Sequence, residues 1–278
     1  MALNEIGIFK LDKSKTTMKY GYHYKALIDL PYSNEKRHIR VWLPENYDFE
    51  DNKKTFPVIY FSDGQNLVNK YLTAFGDWGL DKVAHMLYKE KGISFIAVGI
   101  DCPKDDKTRG LELAPPYLPT RYRWDGFPYA DKFVDFIADD LRELINKLFH
   151  TKKDRKSTGI GGSSMGGIMA FYGAARQSDI FGFSLDFSPA FFLYNKDTWL
   201  KMLNDFDIKN KKNTKFFLYV GGKDYESMFV SNTLLTYKYM VKNGFDQDNL
   251  ALIYDSRQIH HESAWNKYLG EAIEFWQK

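Results

Sequence analysis

The chain has 278 residues, 44% of them hydrophobic and 27% charged, with a net charge of +3. That composition belongs to a folded globular protein of one large or two smaller α/β domains and excludes a disordered chain; the small charge argues against nucleic acid or an acidic membrane surface as partner. The single cysteine, Cys102, excludes a disulfide framework and a multi-cysteine zinc site, and at the end of an apolar strand it reads as a packed thiol.

Met1 to Thr17 has no apolar core flanked by a cleavage site, and nowhere do eighteen apolar residues run together, so a soluble cytoplasmic protein is expected. Met18 to Leu30 and Arg37 to Leu43 are β-rich, the second alternating at Ile39, Val41 and Leu43, which predicts an antiparallel pair. Phe56 to Phe61 is a continuous apolar run of the kind buried on both faces, and it leads into the polar turn Ser62-Asp63-Gly64-Gln65-Asn66. Trp78 to Glu90 has helical spacing with Gly92 as its stop, and Ser94 to Ile100 is another buried strand. From Asp101 to Ala130 the chain reads as a long irregular, proline-rich loop or lid, of a length that usually carries function. Phe133 to Leu148 is an amphipathic helix. Strands at Phe181 to Phe187, Lys215 to Val220 and Leu250 to Tyr254 then alternate with helices at Thr198 to Leu203, Phe229 to Lys242 and from about Trp265 to the end. Alternation without a break or repeat predicts a single domain over 1–278: a doubly wound, mostly parallel sheet with antiparallel N-terminal strands and helices on both faces. Ligands of such sheets sit beyond the carboxyl ends of the strands.

Between one strand and the next helix lies Gly161-Gly162-Ser163-Ser164-Met165-Gly166-Gly167, with the spacing G-x-S-x-G. It describes a turn so sharp that the serine is held in a strained backbone conformation, with glycines where a Cβ would collide. A serine hydroxyl needs a neighbouring base that is itself oriented by a carboxylate. In a nucleophile-elbow protein the order along the chain is serine, acid, histidine. Of the six histidines only His260 and His261 follow Ser164, in the loop after the last strand. His260, one residue further from the helix, is preferred as base, and His261 stays open. Asp224 in Gly221-Gly222-Lys223-Asp224 is the preferred acid because it stands directly after a buried strand; Asp186 and Glu226 are its competitors. An oxyanion hole needs the backbone N–H of the residue after the nucleophile, Met165, and one from an early strand-to-helix loop, for which Gln65 is the best placed. His260-His261-Glu262 lacks metal-site spacing, so no metal is expected.

The runs Phe61 to Leu67, Gly162 to Gly167, Gly221 to Asp224 and His260 to Trp265 together resemble the successive motifs of the putative esterase family of α/β-hydrolases, over about residues 36 to 277. That group includes enterochelin esterases, S-formylglutathione hydrolases, feruloyl esterases and mycolyltransferases. The resemblance implies cofactor-free hydrolysis of a small-molecule carboxylic ester through an acyl-enzyme. It implies His260 as base, since the family's histidine stands five residues before the tryptophan, here Trp265. Arg109-x-x-Glu112 is similar to an arginine–glutamate pair of bacterial members. Trp78, Arg109, Tyr122 and Trp124 are the candidate substrate-binding side chains, the aromatic loop residues suiting a small or aromatic acyl group. Acyl transfer to an alcohol by the same triad, and a non-catalytic binding module on the same fold, are the alternatives.

Overall fold

The computed structural model describes residues 5–6, 8–118, 120–121, 125–207 and 213–278. Its strands are β1 (Glu5–Ile6), β2 (Phe9–Leu11), β3 (Tyr22–Asp29), β4 (Lys36–Leu43), β5 (Val58–Ser62), β6 (Ile96–Ile100), β7 (Thr158–Ser163), β8 (Phe183–Phe187), β9 (Lys215–Gly221) and β10 (Leu250–Asp255). They form one ten-stranded sheet in the order β1-β2-β3-β4-β6-β5-β7-β8-β9-β10. From β5 to β10 all neighbours are parallel, as runs of apolar residues buried on both faces require. The strands from β1 to β4 pair antiparallel and join the parallel part through β6. Because β5 lies between β6 and β7, the direction of winding reverses at its end, and the crevice opened there is where such sheets bind ligands.

The helices are α1 (Leu80–Lys91), α2 (Asp106–Leu113), α3 (Ala130–Asp135), α4 (Arg142–Leu148), α5 (Met165–Arg176), α6 (Lys196–Asp205), α7 (Ser227–Lys242) and α8 (Glu262–Gln277), with a π turn, Phe136–Leu141, joining α3 to α4. One face of the sheet is packed by α1 and α8, whose Leu80, Leu87, Leu269 and Trp276 meet Ile59, Phe61 and Phe183. The other is packed by the helices from α3 to α7, with Val134, Phe171, Trp199 and Met240 against Tyr60, Ile160 and Leu218. The architecture is the expected one, with two local differences. Residues 18–20 do not extend β3; the N–H groups of Lys19 and Tyr20 donate to the buried carboxylate of Asp81 instead, at 2.7 and 3.3 Å. The stretch 101–130, expected to be irregular, contains α2, started by the Asp105 side chain accepting from the Thr108 N–H at 2.8 Å. Tyr122 and Trp124 lie outside the described residues.

His23 on β3 is buried, with Asp12 3.6 Å away and Arg40 on the same carboxylate. Burial and then the Arg40 charge lower its pKa from 6.5 to about 4, against the opposing pull of Asp12. Below pH 6.5 the unfolded chain therefore binds a proton that the folded chain refuses until about pH 4, so stability rises with pH across that window. Chemical denaturation at pH 4 and pH 6.5 is expected to differ by about 3 kcal/mol more in the wild type than in His23→Gln.

Candidate active site

Ser164 joins β7 to α5 with φ 58° and ψ −117°, a conformation that L-residues avoid. Its N–H donates to the Phe187 carbonyl at 2.9 Å, and its own carbonyl accepts from Gly167, Ile168 and Ala190 at 3.1, 3.2 and 3.1 Å. These bonds over-determine the turn. A Cβ on Gly162 would sit 2.6 Å from the Gly166 carbonyl, and one on Gly166 would run into Ser62 Oγ, so the spacing of the two glycines is steric. The N–H of Met165, at the first position of α5, precedes the first helical hydrogen bond and is one of the donors a helix N-terminus leaves open.

The turn after β5 is held from three sides. Asp63 has φ 53° and ψ 45°, and its carboxylate takes a two-point bond from Arg109 on α2, Nε and Nη2 both at 2.7 Å. The Gln65 side chain is engaged with the loop after β6: its Oε1 accepts from the Cys102 N–H at 3.0 Å and its Nε2 donates to Cys102 Sγ at 3.2 Å. Gly64 packs so closely on β6 that a Cβ on Gly99 would lie 2.5 Å from its Cα. The first bond of the 3-10 turn Gly64–Asn66 runs from the Asn66 N–H to the Asp63 carbonyl, so the Gln65 amide stands ahead of it. Arg109 and Glu112 do not pair with each other. Glu112 is buried and accepts from Arg37 at 2.8 and 3.1 Å and from the Tyr32 hydroxyl at 2.8 Å. Burial, then the Asp63 carboxylate, pushes the Cys102 thiol up, away from thiolate character.

The imidazole of His260 bonds through Nδ1 to Oε2 of Glu226, and Oε1 of the same carboxylate accepts the Gly221 N–H at 2.9 Å. The acid expected from sequence, Asp224, is elsewhere. It has φ 55° in the 3-10 turn Asp224–Glu226 and is exposed, whereas Glu226, two residues on, is fully buried under the imidazole. The longer side chain returns over the end of β9 at the point where Asp224 turns outward. Phe229 stacks on His260 at 4.5 Å and Trp265 meets it edge-on at 5.2 Å. Trp265 is fixed in turn by its Nε1 donating to Ser188 Oγ at 2.9 Å. The Gln258 carbonyl accepts from Gly222 and Lys223 at 3.1 and 3.0 Å, tying the histidine loop to the glutamate turn. His261 is occupied differently: its Nδ1 accepts the Ser263 N–H at 3.1 Å and caps α8. Asp186 is wholly buried, bonded to Ser184 Oγ, and burial raises its pKa well above the carboxylate range.

Ser164 and His260 open into one cleft of about 490 Å3, shared with Asp63, Gln65, Arg109 and Cys102. Sequence reasoning did not single out two other parts of its lining. Glu262 is only 5% exposed and burial raises its pKa. Leu72 to Phe75 form a second wall, from a segment with no periodic pattern to flag it. Trp78, an expected substrate contact, is instead a core residue, 3% exposed and packed on Phe61, Phe187 and Trp265 at 5.6, 5.4 and 5.8 Å. Tyr117 and Tyr129 pack on Phe206 and Tyr32 of the body. Among the described residues no group of three or more His, Cys, Asp or Glu side chains could hold a metal ion, and no helix is long and apolar enough to cross a membrane.

The family model described as Putative esterase matches residues 31–274. Among solved structures, the BES protein from Bacillus cereus superposes with a TM-score of 0.73 at 19% identity, over 95% of this chain and 97% of that one. The siderophore hydrolase EstA from Aspergillus nidulans superposes with a TM-score of 0.69 at 19% identity, over 91% and 92% of the two chains. A ferulic acid esterase from Anaeromyces mucronatus, solved in complex with ferulic acid, gives 0.67 at 17% identity, over 97% of each. The fold is that of the α/β-hydrolases.

The imidazole–glutamate bond has a direct spectroscopic signature. A proton resonance far downfield of the backbone amides is expected for the wild type and for Asp224→Ala, and it is expected to vanish in Glu226→Ala.

Proposed function

This chain belongs to the putative esterase family, and we propose that within it the protein is a serine carboxylic-ester hydrolase working through Ser164, His260 and Glu226. The reading rests on one observation: an imidazole oriented by a buried carboxylate opens into the same cleft as a serine held at φ 58° on a nucleophile elbow. Glu226 takes the part that sequence gave to Asp224.

In this mechanism Nε2 of His260 accepts the Ser164 hydroxyl proton as Oγ attacks the ester carbon. Glu226 keeps the other imidazole proton on Nδ1 and stabilises the imidazolium that forms, while Gly221 holds the carboxylate. The developing oxyanion is met by the N–H groups of Met165 and Gln65. His260 then returns its proton to the departing alkoxide, leaving an acyl-serine and free alcohol. A water molecule, deprotonated by the same imidazole, attacks the acyl carbon, and release of the acid restores Ser164. Arg109 acts one step removed, fixing the oxyanion turn through Asp63. The substrate assigned to this cleft is an ester with a small or aromatic acyl group, the class to which the acid of the ferulic acid esterase belongs.

A panel of p-nitrophenyl esters and a fluorophosphonate label test the proposal together. Ser164→Ala is expected to abolish labelling and lower turnover about a thousandfold or more, and Glu226→Gln to lower it about a hundredfold or more. Asp224→Asn is expected to stay within about twofold of wild type, its side chain being exposed. Full turnover in Ser164→Ala would sink the assignment.

A further inference from the structure

The wall of the cleft from Leu72 to Phe75 takes no part in the steps just described, yet it is built to stay where it is. Phe75 is 72% exposed and Leu72 38%, and with Ala74 both line the cleft that holds Ser164 and His260. Apolar side chains gathered at the mouth of a cleft are a binding surface more often than an accident of folding. The backbone beneath them is pinned by Asn69, itself 1% exposed. Its Oδ1 accepts from Tyr71 and Thr17 N–H groups at 3.2 and 3.3 Å, and its Nδ2 donates to the Lys15 carbonyl at 3.0 Å. Thr17 Oγ1 accepts from the Lys70 N–H at 3.0 Å and donates to Asp77 at 2.9 Å. A buried amide and a hydroxyl thus fix a segment whose own apolar side chains remain in solvent.

The wall connects to the histidine through two tryptophans. It runs into Trp78, whose carbonyl accepts from Asn266 Nδ2 at 2.6 Å and whose ring lies 5.8 Å from Trp265; that ring in turn meets His260 at 5.2 Å. Of the acidic and basic side chains that line the cleft, Asp63, Asp106 and Arg109 belong instead to the turn after β5 and to α2, and Glu262, at the start of α8, is only 5% exposed. Ester cleavage constrains which half of a substrate lies where: the leaving oxygen must collect its proton from the imidazole, so the alcohol half lies toward His260.

We infer that Leu72, Ala74 and Phe75 form an alcohol subsite that takes an apolar or aromatic alcohol group, an inference that rests on the Ser164–His260 reading above. The subsite serves both directions of the reaction. In acylation the alkoxide leaves across it and is protonated by His260. In the reverse sense an apolar alcohol bound there gives its proton to His260, its oxygen bonds to the acyl carbon, and Ser164 Oγ leaves with that proton. The acyl-enzyme therefore partitions between water and apolar alcohols in favour of the latter beyond their concentration ratio.

The test compares wild type with Phe75→Ala on acetates of methanol, butanol and benzyl alcohol, and on methyl esters of acetic, butyric and phenylacetic acids. Fluorophosphonate labelling is run beside it. The preference in kcat/KM for benzyl over methyl acetate is expected to fall about tenfold in Phe75→Ala, with the order of the acyl series retained. Partitioning of the acetyl-enzyme to benzyl acetate in added benzyl alcohol is expected to fall with it. An unchanged alcohol preference in a variant that still labels, or an equal loss along the acyl series, overturns the subsite alone. A wild type that fails to label overturns the serine-hydrolase reading and the subsite together. Should Phe75→Ala lose its label, Leu72→Ala is read by the same criteria.

Discussion

The backbone of Ser164 is the constraint on which the rest of the molecule depends. Holding a residue at φ 58° and ψ −117° costs on the order of 1–3 kcal/mol, and it persists only where the surroundings leave no alternative. Here those surroundings are the hydrogen bond from Ser164 to Phe187, the one it accepts from Ala190, and the contact of Gly162 with Gly166. Each requires the sheet and α5 to be at their closest. The two apolar layers that press helices onto β7 and β8 thus maintain the turn, and the turn puts a hydroxyl beyond the sheet next to open helix donors. Core packing and chemistry meet in one dihedral angle.

The same economy governs the imidazole. His260 sits on a loop, where a side chain is ordinarily free, yet the rings of Tyr225, Phe229 and Trp265 and the carboxylate of Glu226 leave it one orientation, and the Gln258 carbonyl ties its loop to Gly222 and Lys223. Asp255, at the start of that loop, adds a staple: it accepts from Arg257, Lys267 and Tyr268 at 2.9, 2.9 and 2.7 Å. Bonds to three donors hold its carboxyl far below the usual carboxylate range.

Much of this was legible in the sequence because it follows from local sterics. Short continuous apolar runs bounded by turn residues read as strands covered on both sides, and glycines flanking Ser164 at i−2 and i+2 have few other uses. Order along the chain was enough to single out the two histidines. What failed was reach. Placing the acid directly after a strand favours Asp224, but a 3-10 turn with Asp224 in a left-handed conformation swings that side chain outward and brings Glu226 back over Gly221. A turn of two residues and one extra methylene decide the matter, and neither has a periodicity. Trp78 misled for the same reason: whether a ring faces core or cleft depends on contacts between segments far apart in the chain, as does the engagement of Arg109, which does line the cleft, with Asp63. The wall from Leu72 to Phe75 carried no pattern because its function is to remain unpacked.

Asn69 has a consequence beyond the cleft. Through Lys15 and Thr17 it couples the mouth of the site to the segment that leads into β3, on the antiparallel side of the sheet. Sheet margins open before centres as a protein is warmed. Both margins of the sheet thus bear on the cleft: the antiparallel one steadies the wall through Asn69, and β10, the edge strand at the other end, leads into the loop of His260, while Ser164 stands at the end of central β7. On heating, such a molecule loosens its wall and its imidazole from the two margins while the serine at its middle keeps its place.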